Sequence, residues 1–207
     1  MTAETAAVVR GRRTLLRHAR PSDYDRLHQI DTTVGDRELW RYRGHVPGLD
    51  EYEAALWKNT HAILVCELLG DDTTRRPDPS GVGAGDVIGY VHLHDVDWRA
   101  GHGFFSIIAA TEYRRTGLML EACFLFGDWF CGNTPLRWLY AHAFEDNLPQ
   151  FRSAIRNGFF RHLGAYRSRV AIRGVPQDVH LLGISRDDWL TSPTRARFHR
   201  RLDHRRR

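Results

Sequence analysis

The sequence predicts one α/β domain, a mixed, mostly antiparallel and twisted sheet flanked by helices. Three observations carry that reading. Short runs rich in β-branched and aromatic residues alternate with stretches of helical period. Two of those runs, 87–97 and 104–109, are joined by a short turn, so they read as a hairpin. The second run leads through Tyr113-Arg114-Arg115-Thr116-Gly117-Leu118-Met119 into an apolar helix, giving a strand, a turn and a helix in direct succession. At 207 residues and 42% hydrophobic content the chain suits a single core that needs no staples. The domain is placed at residues 13–191, with an extension at 1–12 and a basic tail at 192–207.

The elements follow in order. Residues 14–18 read as a first strand. Pro21-Ser22-Asp23 starts a helix, with Pro allowed in the first turn and acids near the N-terminus. Tyr24, Leu27 and Ile30 with Asp31 put an apolar stripe on one side. Residues 34–48 are a Trp/Tyr/Arg-rich connection. A short helix at 49–59 turns Tyr52, Ala55 and Leu56 inward, and 61–69 is a strand. Residues 70–85 hold Asp, Pro, Gly and Arg with hardly an apolar residue, the composition of a long polar loop. After the hairpin, the helix from Leu118 runs to the stop signal Gly132-Asn133. A strand at 136–144 follows. Asn147-Leu148-Pro149-Gln150 predicts a helix capped by Asn147 with Gln150 in capping-box position, ended by Gly158. Two last strands, 165–172 and 179–184, flank Gly174-Val175-Pro176. The remainder is Arg/His-rich and reads as a solvated tail.

Composition excludes several classes. Cys66, Cys123 and Cys131 have no metal-type spacing, and an odd count without a leader predicts reduced thiols in a cytoplasm. No apolar run is long enough to span a membrane. The formal charge of +5 is concentrated in the tail, so nucleic-acid binding rests on that segment alone and is not expected. His92, His94 and Asp95 could chelate a cation, but no third ligand at helical or loop spacing supports them, and no metal is expected.

The turn before the long helix carries the first functional signal. Amides at a helix start point outward and sit in the positive end of the helix dipole, which suits phosphate or pyrophosphate. Gly117 lets the backbone approach such a ligand, and Arg114 and Arg115 add charge. It is neither a P-loop, since no Gly-Lys-Ser/Thr ends it, nor a dinucleotide fingerprint, since it has one glycine.

Three motifs together resemble the GNAT superfamily of acyl-CoA-dependent N-acyltransferases over roughly residues 14–190. Arg114-Arg115-Thr116-Gly117-Leu118-Met119 resembles its pyrophosphate loop. Asn147, eleven positions before Gly158-Phe159, resembles the Asn-helix-Gly-Phe segment of the RimJ/RimL-like branch. Gly183-Ile184-Ser185-Arg186-Asp187-Asp188-Trp189 resembles that branch's closing strand and its Arg-x-x-Trp end. The resemblance implies acetyl-CoA, or another acyl-CoA, as co-substrate and an amine of a small molecule or peptide as acceptor. It implies that Arg114, Arg115, Thr116, Gly117, Leu118 and Met119 hold the pyrophosphate, and that Ile108 and Ala109 pair with the pantetheine like a β-ligand. It further implies that Asn147 contacts the pantetheine arm, with Arg152 in reach of the nucleotide phosphates.

Acyl transfer to an amine needs a base, an oxyanion donor and a proton for the thiolate. An unperturbed imidazole titrates near ~6.5. By resemblance the base belongs near the level of His102, the first candidate, with Glu145 the second. The family's Tyr acid is replaced here by Ala154, which leaves Ser153 as the nearest hydroxyl; Met119 stands where Gly or Ala is usual. His92 and His142 would converge on the thioester from neighbouring strands, and Trp40 and Tyr42 lie where the family places its acceptor loop. The long helix is apolar nearly all round, with Glu121 and Asp128 as its only polar stripe. Such a helix is covered by the 70–85 loop or joins a homodimer. The alternatives are transfer of a longer acyl chain, thioester cleavage, and a CoA-binding or interaction protein without catalysis.

Overall fold

A computed structural model describes residues 9–33, 42, 46–70, 85–145 and 147–203. The expected polar loop, apart from its ends, and most of the 34–48 connection, Trp40 included, lie outside the described residues. The strands are β1 (Val9–Arg10), β2 (Thr14–His18), β3 (Thr60–Leu68), β4 (Val87–Asp97), β5 (His102–Ala109), β6 (Trp138–Phe144), β7 (Arg161–Ile172) and β8 (Val175–Ser185). The helices are α1 (Tyr24–Thr33), α2 (Leu49–Trp57), α3 (Leu118–Asn133), α4 (Arg152–Arg156), α5 (Arg186–Thr191) and α6 (Pro193–Asp203). The described strands form one mixed sheet in the order β1-β2-β3-β4-β5-β6-β8-β7, the α/β architecture expected. The chain divides into two compact units, Met1–His92 with Ile107–Trp129, and Leu93–Ser106 with Phe130–Arg207.

In the first unit β1, β2 and β3 pair antiparallel. Arg17 of β2 is buried. Its fork donates to both Asp23 oxygens at 2.7 Å, and its Nε to Glu67 of β3. The Arg20 amide donates to the same Asp23 carboxylate, so the entry to α1 is fixed by an acid that also pairs with the sheet. Leu27 and Ile30 of α1 and Tyr52 and Leu56 of α2 are buried, as their spacing predicts.

Helix α3 differs from expectation. Glu121 is not part of a solvated stripe but buried, 8% exposed. Its Oε1 accepts from the amides of Arg12, Arg13 and Thr14 at 2.7, 2.8 and 3.2 Å, and from the Thr14 hydroxyl at 3.2 Å. Gly11 is required beside it, because a Cβ there would lie 2.3 Å from that oxygen and 2.9 Å from Leu125. The segment leading into β2 therefore packs on α3, and Phe124 and Phe126 are buried within a single chain. Burial of this helix does not require a second copy.

In the second unit β6 pairs antiparallel with β8 over its whole length, and β8 with β7. The parallel β5–β6 ladder is short. It joins His102, Gly103 and Phe104 to Trp138, Leu139 and Tyr140, then ends although both strands continue. The C-terminal turn of α3 is closed by Arg186, whose guanidinium donates to the carbonyls of Cys131, Thr134 and Leu136. The helix ends at Asn133, at the expected stop signal Gly132-Asn133, and the Thr134 amide and hydroxyl both return to the Phe130 carbonyl.

Other boundaries are corrected here. Asn147 has helical torsions and caps nothing with its side chain; the Gln150 amide binds its main-chain carbonyl at 3.1 Å instead. The result is a 3-10 turn at Leu148–Phe151 before a short α4, not one capped helix. Gly158 does end α4, with φ at +69°. β7 starts at Arg161, and the basic tail is a helix, α6, as far as Asp203.

Candidate active site

In the first unit the strand-turn-helix signal is realised around Gly117. After a 3-10 turn at Thr111–Tyr113, Arg115 and Gly117 both adopt left-handed torsions, φ +62° and +79°. Only glycine takes such a value without strain. The Thr116 hydroxyl donates to the Tyr113 carbonyl at 2.7 Å and accepts from the Leu118 amide at 3.3 Å, so it caps α3. The first helical bond runs from the Glu121 amide to the Gly117 carbonyl. Met119 and Leu120 precede it, in the positions where a helix offers N–H groups to a ligand. Arg114, Arg115 and Gly117 are exposed, and Leu118 is buried as the anchor of the turn.

Met119 does not fill the cradle. Its sulfur lies beside Gly89 of β4, where a Cβ would come within 3.0 Å of it, and within 2.3 Å of the Ile108 carbonyl. Gly89 thus makes room both for Met119 and for the close approach of Ile108 and Ala109, both half-exposed at the end of β5. Arg13 is a residue the sequence reading missed. Its Nη2 would lie 3.5 Å from a Cβ at position 117, and its Nε is 3.4 Å from Glu121. A lone arginine before a strand carries no signal of this; only the fold brings it to the turn. Backbone amides at a helix start, an exposed glycine and three nearby guanidinium groups fit a pyrophosphate.

Also in the first unit, Asp31 is buried and accepts hydroxyl bonds from three tyrosines: Tyr42 at 2.6 Å, Tyr52 at 2.7 Å and Tyr90 at 2.8 Å. The expected acceptor residue Tyr42 is thus tied to α1. His92 is buried, with its ring 6.0 Å from that of Tyr90.

In the second unit the half-exposed face of the sheet is lined with rings. His102 lies 5.4 Å from Tyr140, and Phe104 lies 4.8 Å from His142 and 6.0 Å from His94, centroid to centroid. Burial, then the neighbouring His94 and Arg169 charges, hold the His142 imidazole below its ordinary pKa. Glu145 is exposed just past β6, Asn147 is half-buried, and Arg152 and Ser153 are exposed on α4. The Ser153 hydroxyl accepts from the Asn157 side chain at 3.4 Å. Within this unit the geometry brings together His94, His102, Phe104, Tyr140 and His142, and leaves Ser153 outside that group of rings.

A family model described as the acetyltransferase (GNAT) domain matches residues 13–160. No curated protein matches significantly. Among solved structures, spermidine N-acetyltransferase from Vibrio cholerae in complex with CoA and spermine is 20% identical, with TM-score 0.68, over 86% of this chain and 99% of that one. A chimera of the Vibrio cholerae enzyme with hSSAT is 21% identical, with TM-score 0.67, over 86% and 99%. A GNAT-family acetyltransferase from Bacillus anthracis is 15% identical, with TM-score 0.65, over 86% and 98%. The structural likenesses bear on fold, and the family match spans most of the domain expected from the sequence. The chain belongs to the GNAT acetyltransferase family, enzymes that use acetyl-CoA to acylate an amine.

Proposed function

We propose that this chain acetylates an amine of a small molecule or peptide within the RimJ/RimL-like branch of the family, in a cytoplasm. The observation that supports the reading is the turn at Gly117, a left-handed glycine followed by a capped helix start, in a motif that resembles the family's pyrophosphate loop. Acetyl-CoA supplies the electrophile, a thioester carbonyl. Arg114, Arg115 and Arg13 supply charge at the turn, and the open edge of Ile108–Ala109 suits the pantetheine amides. His102 and Glu145 are the candidate bases, and Asn147 and Arg152 the candidate contacts to the CoA arm. The branch assignment rests on Asn147, Gly158-Phe159 and the Arg186–Trp189 end. Since one similar enzyme was solved with spermine, polyamines head the list of acceptors to try.

The test is thiol release from acetyl-CoA with polyamines, other small amines and peptide N-termini. The expected result is acceptor-dependent release by the parent. His102→Ala should then lose the acidic limb of its pH–rate profile, the fall in rate as the base protonates; an unchanged profile removes His102 from the mechanism. No acceptor-dependent release from any of these amines counts against the enzyme and for the CoA-binding alternative.

A further inference from the structure

From sequence, His92, His94 and Asp95 could chelate a cation, but no metal is expected there. The structure joins His94 and Asp95 to a different residue. Asp95 has a left-handed φ of +46°, which breaks the strand alternation and turns its carboxylate back onto the His94 ring. His94 Nδ1 and Asp95 Oδ2 are 2.8 Å apart. A carboxylate only accepts, so Nδ1 carries the proton, and Nε2 presents its lone pair. That lone pair faces the Ser106 hydroxyl at 3.2 Å. Serine, imidazole and carboxylate thus follow one another at hydrogen-bond distance, the arrangement that activates a serine oxygen. All three belong to the second unit.

The surroundings suit a small acyl group. The β5–β6 ladder ends at Phe104 and Tyr140, so Ser106 stands just past the point where the strands stop pairing. Ser106 as a residue is half-exposed. The Phe104 ring lies tilted against those of His94 and His142, giving an apolar floor with a second imidazole on it.

We propose that Ser106, His94 and Asp95 form an acyl-transfer relay that hydrolyses short acyl thioesters and activated acyl esters without an amine acceptor. Ser106 Oγ attacks the acyl carbonyl carbon while its proton passes to His94 Nε2. The carbon–sulfur or carbon–oxygen bond breaks, and the leaving group takes that proton. Water then attacks the acyl-serine ester, giving its proton to His94. The ester bond breaks, the carboxylic acid leaves, and the proton returns to Ser106. The net reaction is acyl thioester plus water to acid plus thiol. Asp95 is a positioning residue that fixes the tautomer. The natural thioester substrate rests on the acyl-CoA reading; the relay itself does not.

The experiment follows p-nitrophenyl acetate and acetyl-CoA without amine, using the full chain. The parent should hydrolyse the ester above the buffer rate and carry one acetyl group on the peptide containing Ser106 after an acid quench. Ser106→Ala and His94→Gln should lose at least a hundredfold, and Asp95→Asn about tenfold with a shifted pH profile. Ser106→Cys should be acetylated at position 106, which keeps the test readable if Ser106→Ala does not fold. A parent at the buffer rate, or a folded Ser106→Ala at the parent rate, overturns the relay. Hydrolysis kept in Ser106→Ala but lost in His94→Gln overturns the serine as nucleophile. Calorimetric titration of CoA in parallel separates this failure from a failure of the acyl-CoA reading.

Discussion

Arg17 and Asp23 show how much one buried pair decides. Burial alone would raise the Asp23 pKa, but the Arg17 fork and the Arg20 amide outweigh it and hold the carboxyl below its usual range. A depressed folded pKa contributes stability that is present above the unfolded value of ~3.9 and is lost as pH falls through the folded one. Asp23→Asn should therefore cost about 3 kcal/mol at neutral pH, because it leaves a buried guanidinium with Glu67 alone. Urea unfolding at pH 7 and in acid checks this; the gap between parent and variant should narrow as the parent's carboxyl protonates. Asp31 is the second case. Tyr52→Phe removes one of three hydroxyl donors to a buried carboxylate and should cost ~2 kcal/mol. Thermal melts should show a smaller loss for half-exposed Tyr42→Phe. The sequence placed Asp31 beside Ile30 on a stripe but had no means to find its partners, which lie 11, 21 and 59 residues away.

At the scale of elements, α3 depends on a contact no periodicity reveals. Glu121→Ala would leave the amides of Arg12, Arg13 and Thr14 without their acceptor, at ~1–3 kcal/mol each. A loss of at least 3 kcal/mol in urea unfolding is expected, with most of it recovered in Glu121→Gln, which keeps an acceptor oxygen. Strands with strong alternation were legible: β4 runs from Val87 to Asp97 as read. The start of β7 was not, because Arg161-His162-Leu163-Gly164 looks like a polar exit from α4. Its pairing comes from β8's main chain, with register shifts between His162 and Gly164 and between Tyr166 and Val170. The helical tail was missed for a related reason. Arginine and alanine favour helix whether or not the segment has an apolar face, so a polar, Arg-rich composition does not exclude one. The turn at Gly117 was legible because its chemistry is local, within residues 113–119. The Ser106–His94–Asp95 geometry was not, because it depends on one left-handed residue.

For the whole molecule, the exposed arginines at the turn suit a polyanionic ligand whose binding weakens with salt. CoA affinity should fall between 50 and 300 mM salt, roughly as expected for a few screened charge contacts. Arg13→Ala should flatten that dependence without abolishing binding. The central claim is that CoA binds through the backbone of the Gly117 turn, and calorimetric titration tests it most directly. Gly117→Asp puts a Cβ at a left-handed position and an anion beside the phosphates. Loss of two bonds to a charged phosphate amounts to about 3–6 kcal/mol. The parent is predicted to bind CoA, and a folded Gly117→Asp to bind it at least a hundredfold more weakly. No binding by the parent at millimolar CoA, or equal binding by the variant, would contradict the account.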